Sequence, residues 1–317
     1  MIILPDFHEV SYANDNQARE EMLRLPPAAR QKLAENLLYR YPRFNETYGQ
    51  LSLLHRPGPQ GAPITGQIAG FLGNSRAGKS WLLKTFLREN KPYRPADGAG
   101  YVFPMAYIEV MERWGAPDVA SALFLATGAS SVPYISGKSL ETKCVRRVAT
   151  HETPLVVFDD AHYIFAAPPA KRRSILSLIK ALVDSRACSV WLAGLNTVES
   201  SMLDESQHLN RGGFPTVHLA EHDLSLPDEF DDYLGFLIGV SNRLPFAEDS
   251  MLDREEWQAE WRLAANGSVG LTMNIVIDAA RRAIADGSPC IQGHHLREVC
   301  FMRKRIGDLT YPFEKAA

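Results

Sequence analysis

Cysteine is scarce: Cys144, Cys188, Cys290 and Cys300 are the only four in a chain of 317 residues. Four so widely spaced thiols do not form a disulfide framework, and the expected compartment is cytoplasmic. An excess of charge is also missing, since 34 basic and 37 acidic side chains leave a formal net charge of −3. That balance excludes a protein that coats nucleic acid by bulk charge, although a local basic stripe is compatible with it. No apolar run approaches the roughly 18 residues that a membrane span needs; stretches such as Val119–Ala126 and Val190–Leu195 fall far short. The opening Met1-Ile2-Ile3-Leu4-Pro5-Asp6 has neither a basic n-region nor a full apolar h-region, so neither a membrane nor an export route is expected. What is present is ordinary globular composition, 45% hydrophobic and 22% charged. A chain of this length can bury about 75% of its unfolded surface.

Residues 1–60 read as an N-terminal helical extension, with apolar residues at helical spacing over Gln17–Leu25 and Pro27–Tyr39. Pro26-Pro27 between them suits a helix start. The stretch from His55 to Pro63 holds three prolines and two glycines and reads as a linker. Residues 61–225 then alternate helix-length segments with five continuous apolar runs: Ile68–Leu72, Val102–Ile108, Leu155–Phe158, Ser189–Ala193 and Pro215–Leu219. Such runs, apolar on both sides, imply a parallel sheet covered on both faces. Residues 226–305 read as helices only: Asp228–Val240, a helix begun by Asp253 with Glu256 completing a capping box, Val269–Ala285 and Gln292–Lys304. Residues 306–317 are left as a tail. The fold class expected is therefore α/β, a three-layer αβα core on a parallel five-stranded sheet with a small all-helical lid.

The most specific signal is Gly73-Asn74-Ser75-Arg76-Ala77-Gly78-Lys79-Ser80, which fits G-x-x-x-x-G-K-[ST] at every position. Each residue type has a physical task. Glycines let backbone N–H groups curl around phosphate, Lys79 sets a cation against the β- and γ-phosphates, and the Ser80 hydroxyl ligates Mg²⁺. A strand before the loop and a helix after it supply the context the motif requires. ATP and Mg²⁺ are the cofactors this implies.

A phosphate loop needs an acidic partner on a neighbouring strand, and Leu155-Val156-Val157-Phe158-Asp159-Asp160 supplies one. Asp159 is assigned to the metal side and Asp160 to the attacking water. Asp160 stands where ATPases of the AAA+ type usually carry glutamate. One methylene less shortens its reach by about 1–1.5 Å, and misplacement on that scale costs about a hundredfold in rate, so slow hydrolysis is expected. Asn196, at the tip of the next strand, either senses the γ-phosphate and attacking water or serves as ordinary turn chemistry after Gly194. Arg211, just ahead of the last strand, either reaches the γ-phosphate of a neighbouring subunit or is a solvated arginine.

The order of these motifs resembles an AAA+ ATPase, and within that class the TniB/TnsC family of ATP-dependent regulators of DNA transposition. The resemblance rests on Phe71–Ser80, on Val157-Phe158-Asp159-Asp160-Ala161-His162, on Gln207–Phe214, and on Gly267-Ser268-Val269-Gly270 opening a long helix. It spans about residues 30–290. It implies a homo-oligomeric ring or helical filament on double-stranded DNA that connects a target-selection protein to the transposase. Leu271-Thr272-Met273-Asn274 stands where many AAA+ proteins have an arginine on the γ-phosphate, so no such sensor is assigned. The family's DNA contacts follow the second strand. Here Arg113 and Lys138, both in polar, loop-like segments, are either phosphate contacts of the sequence-independent kind or ordinary surface cations.

Cys290, His294, His295 and Cys300 are zinc-ligand types, but on one continuous helix the two cysteines would lie about 15 Å apart and could not share a tetrahedral ion. Competing functions within the same motifs are a helicase loader or initiator, a P-loop phosphotransferase and a non-hydrolysing nucleotide-binding adaptor. The first differs from a transposition regulator only in its partner.

Overall fold

The computed structural model describes residues 4–55, 66–96, 100–205, 213–307 and 310–315. They divide into two compact units, one formed by Arg43–Leu219 with the first residues of the chain, the other by Pro5–Pro42 with Ala220–Ala317. Within the expected extension over residues 1–60, the described residues from Pro5 to Pro42 thus fall in the second unit and those from Arg43 to His55 in the first.

The first unit is a sheet of five parallel strands: β1 (Ile68–Leu72), β2 (Met105–Glu109), β3 (Leu155–Asp159), β4 (Ser189–Gly194) and β5 (Thr216–His218). Their spatial order is β2-β3-β4-β1-β5, and every pairing is parallel. The strand carrying the phosphate loop, β1, therefore lies beside β4, and β4 lies beside β3, whose end carries Asp159. The run Val102–Ile108 does not form one strand. Pro104 interrupts it, Val102 instead pairs with Tyr93 in an isolated antiparallel bridge, and β2 starts only at Met105, because proline cannot donate to a ladder.

Alternation along the strands builds the layers. Leu72, Ile108, Val156, Phe158, Val190 and Leu192 face α5 (Ala116–Ala126), α6 (Gly137–Thr150), α8 (Pro169–Asp184) and α9 (Thr197–Asp204) in one core. On the other face, Trp191 packs 5.2 Å from Phe86 of α4 (Lys79–Glu89) and 6.3 Å from His55 of α3 (Pro42–His55), centroid to centroid. Trp191, Phe158 and Phe71 are fully buried. Each contributes roughly 1.5–3 kcal/mol by removal from water. The short α7 (His162–Ala166) follows β3 directly.

The second unit is helical: α1 (Asn16–Leu23), α2 (Pro27–Glu35), α10 (Pro227–Ser241), α11 (Glu255–Ala265), α12 (Val269–Asp286) and α13 (Gly293–Met302). Arg30 Nη2 donates to the Pro245 carbonyl at 2.7 Å, and the Tyr12 N–H to the Asn242 carbonyl at 2.7 Å. Those bonds tie Pro5–Pro42 to the C-terminal helices. The expected capping box at Asp253 is not formed: Arg254 is the N-cap of α11, with no side-chain cap, and the Asp253 carbonyl accepts from Gln258 instead. No helix among the described residues is long and apolar enough to cross a membrane.

Candidate functional site

The phosphate loop lies between the end of β1 and the start of α4. Gly73 is needed because a Cβ there would sit 2.5 Å from the Leu219 carbonyl oxygen, a backbone atom that cannot yield. Gly78, the N-cap of α4, has φ +99°, a left-handed conformation in which glycine is unstrained. Between them Asn74, Ser75 and Arg76 are exposed and Ala77 is buried, with Arg76 itself at φ +64°. Lys79 is only 9% exposed, and its Nζ donates to the loop's own carbonyls, Gly73 at 2.9 Å and Asn74 at 2.7 Å. Ser80 follows in the first turn of α4, where helix N–H groups have no partner within the helix.

The sheet brings the acidic pair to the same edge. Asp159, 1% exposed, is the last residue of β3. Its Oδ2 accepts the Tyr107 hydroxyl at 2.5 Å and its Oδ1 accepts the Asp160 N–H at 3.0 Å. Among the described residues no cation forms an ion pair with this buried carboxylate, and buried carboxylates are ordinarily paired or coordinate a metal. A hard-oxygen set of Ser80 hydroxyl and Asp159 carboxylate suits Mg²⁺, which usually takes one or two protein oxygens and keeps its remaining waters. Asp160 is half-exposed at φ +55°, with His162 Nδ1 3.9 Å from its Oδ1. Partial burial, and then the neighbouring Asp159 charge, push its carboxyl above the ordinary range.

Asn196, at the start of α9, is exposed, and its Nδ2 donates to Asn74 Oδ1 at 3.3 Å. The strand-tip amide thus touches the phosphate loop directly. Gly194 supports the approach: its carbonyl accepts the Gly73 N–H at 3.2 Å, and the adjacent Ala193 carbonyl accepts the Ala161 N–H at 2.7 Å. Loop, acidic turn and strand tip are one hydrogen-bonded edge. Arg211 lies outside the described residues.

Arg113 is exposed at φ +69° in the turn after β2, its carbonyl accepting Lys171 Nζ at 2.6 Å. Lys138 is exposed in the first turn of α6 and not in a loop; Gly137 before it is close to Pro117, at the start of α5. The zinc-ligand residue types near the C-terminus do not lie on one continuous helix. Cys290 precedes α13, so the two cysteines do not share a helix. Asp286, His294 and His295 do converge. Both ring nitrogens of buried His295 are already engaged, however: Nδ1 accepts the Gln292 N–H at 2.9 Å and Nε2 meets Asp286 at 2.8 Å. In the same unit a cavity of about 570 Å³ is lined by Arg281, Arg282 and Arg303. Each of these faces a carboxylate, Glu35, Glu298 and Asp278 respectively, so the pocket's charge is balanced.

Tyr107, Glu109 and Lys84 belong to no motif in the sequence. Glu109 is the register partner of Asp159 on β2, and Lys84 Nζ lies 3.2 Å from its Oε1. The available signal was a second apolar strand ending in a carboxylate.

Among solved structures, the chain is similar to Cdc6p from Pyrobaculum aerophilum, with 15% identity and a TM-score of 0.59 over 84% of this chain and 68% of that one. It is similar to the Aeropyrum pernix ORC2 protein, solved as ADPNP–ADP complexes, with 15% identity and a TM-score of 0.59 over 82% and 68%. The Aeropyrum pernix ORC1 protein in complex with DNA matches with 15% identity and a TM-score of 0.61 over 90% and 69%. These likenesses establish the AAA+ fold. No curated protein matches by sequence. Residues 30–223, well over half of the chain, match the family described as bacterial TniB protein; the chain belongs to the TniB family of AAA+ ATPases, a family linked to DNA transposition.

Proposed function

We propose that this protein binds ATP with Mg²⁺, assembles as a ring or filament on double-stranded target DNA, and connects a target-selection protein to the transposase. What supports the reading is one edge of the sheet along which lie the phosphate loop with Lys79, the end of β3 with Asp159, and Asn196 hydrogen-bonded to the loop at Asn74, in a TniB-family chain. That similar folds were solved with ADPNP and ADP, and with DNA, supports the nucleotide and the duplex as ligands.

In this reading Lys79 exchanges its two loop carbonyls for β- and γ-phosphate oxygens, and the loop N–H groups take the remaining phosphate oxygens. Ser80 and Asp159 would hold Mg²⁺, which would neutralise the charge that develops on the transferring phosphate. Asp160 orients the attacking water, and Asn196 reads the presence of the γ-phosphate from the strand tip. Arg211 reaches the neighbouring subunit's nucleotide, so ATP orders the subunit contact and hydrolysis releases it. Arg113 and Lys138 contact phosphates of the duplex, a mode that permits loading at any sequence.

The test is sedimentation of the protein with long duplex DNA, without nucleotide, with ADP and with a non-hydrolysable ATP analogue. Co-sedimentation confined to the analogue is expected, and Lys79→Ala should abolish it. Unchanged assembly of that variant would sink the reading, and no DNA binding under any nucleotide would favour a phosphotransferase or adaptor.

A further inference from the structure

The strands β2 and β3 run in register, pairing Tyr107 with Val157 and Glu109 with Asp159. Side chains two apart on a strand share a face, so Tyr107 and Glu109 stand beside Asp159 on the same side. Tyr107 is 2% exposed. Its hydroxyl lies 2.5 Å from Asp159 Oδ2 and 3.3 Å from Glu109 Oε1. A phenol has one hydrogen to donate, shared here in a three-centre bond, mainly to Asp159 at the shorter distance and secondarily to Glu109 Oε1. With the Asp160 N–H on Oδ1, both oxygens of the Asp159 carboxylate are anchored, which fixes the plane of the group. Each oxygen keeps a lone-pair direction for a further ligand. The second tie runs through Glu109, whose Oε1 is 3.2 Å from Lys84 Nζ on α4, the helix that opens with Lys79 and Ser80. The series Lys84, Glu109, Tyr107, Asp159 therefore closes a loop between the helix carrying Ser80 and the strand carrying Asp159.

We infer that Tyr107 is a positioning residue for Asp159, and that the Lys84–Glu109 pair braces it, so that the Ser80 hydroxyl and the Asp159 carboxylate are held at the spacing one Mg²⁺ requires. The inference rests on the reading of Asp159 as the metal-side carboxylate. A phenylalanine at 107 would fill the same space but donate nothing, leaving Oδ2 unanchored. Displacement of a ligand by about 1 Å is enough to lose most of its effect.

The test is equilibrium binding of a fluorescent ATP analogue to the full chain, titrated with Mg²⁺ and repeated in EDTA. Tyr107→Phe is expected to raise the Mg²⁺ concentration for half-maximal binding about tenfold while leaving affinity in EDTA unchanged. Lys84→Met should produce a smaller shift in the same direction. The double variant should be no worse than Tyr107→Phe, because the two act in series. An unshifted or tighter Mg²⁺ midpoint in Tyr107→Phe overturns the inference, as does an equal loss in EDTA, which would mark a purely structural role. Asp159→Asn separates the two levels. If it leaves the Mg²⁺ midpoint in place, the metal-side reading fails and the inference with it; if it shifts the midpoint and Tyr107→Phe does not, only the inference fails.

Discussion

Asp160 has a backbone reason to be aspartate. At φ +55° it occupies the left-handed region, which Asn and Asp enter more readily than longer side chains. The same choice leaves the carboxylate about 1–1.5 Å short of where a glutamate would reach. Asp160→Glu therefore sets two effects against each other. Recovered reach is expected to raise phosphate release about ten- to a hundredfold. The left-handed backbone costs about 1 kcal/mol, which lowers the melting temperature by a few degrees. A phosphate-release rate equal to that of the native chain would show that reach is not limiting. The thiols give a second residue-scale expectation. Burial pushes Cys144 and Cys188 up to about 12 and Cys300 to about 11, while only Cys290 is partly exposed. Only thiolates react readily, so Cys290 should be the first residue modified by a disulfide reagent in the native protein; rapid loss of the Cys188 thiol, read by mass spectrometry, would contradict the core packing.

At the scale of elements, much of the core was legible. The run Ile68–Leu72 is β1 residue for residue, and the runs at Leu155 and Ser189 each extend by one residue as β3 and β4. Continuous apolar strands announce a sheet covered on both faces. The phosphate loop was legible because backbone curvature and phosphate charge demand specific residue types at fixed spacing. Tyr107 and Lys84 were not, because their roles arise only when β2, β3 and α4 pack together, and neither residue type is unusual in its own element. The start of α13 at Gln292 was legible too, but the role of His295 as its cap was not, because spacing alone does not distinguish a cap from a ligand. His295 reaches back to the Gln292 N–H and ties to Asp286 at the end of α12. The Ser288 hydroxyl first, and His295 in addition, hold the Asp286 carboxyl down to about 2. A carboxyl depressed in the folded state adds stability above its unfolded value of about 3.9 and loses it as pH falls towards the folded one. The melting-temperature gap between the native chain and Asp286→Asn should therefore be constant from pH 5 to 7 and close between about pH 4 and 2. A gap that does not change over that interval would remove the Asp286 charge from the account of this junction.

For the whole molecule, the charge balance decides how DNA could be held. A net charge of −3 gives no general attraction to a polyanion, so the proposed binding would come from a few cations presented together, once per subunit of the proposed assembly. Arg113, after β2, and Lys138, at the start of α6, are exposed cations in the segments between β2 and β3. Each phosphate contact releases condensed counterions and adds about 0.9 to the slope of log affinity against log salt. Arg113→Ala and Lys138→Ala should each lower that slope by about one per site contacted and weaken binding to all sequences alike. In the proposed oligomer the loss per subunit would multiply along the assembly. The double variant should then fail to sediment with DNA at about 150 mM salt while still binding the fluorescent ATP analogue as the native chain does. Equal salt slopes for native and double-variant proteins would place the DNA path elsewhere on the molecule, with the nucleotide site unaffected. Loss of nucleotide binding in the double variant would instead show that the turn after β2 supports the phosphate edge itself, through Glu109 at the strand end.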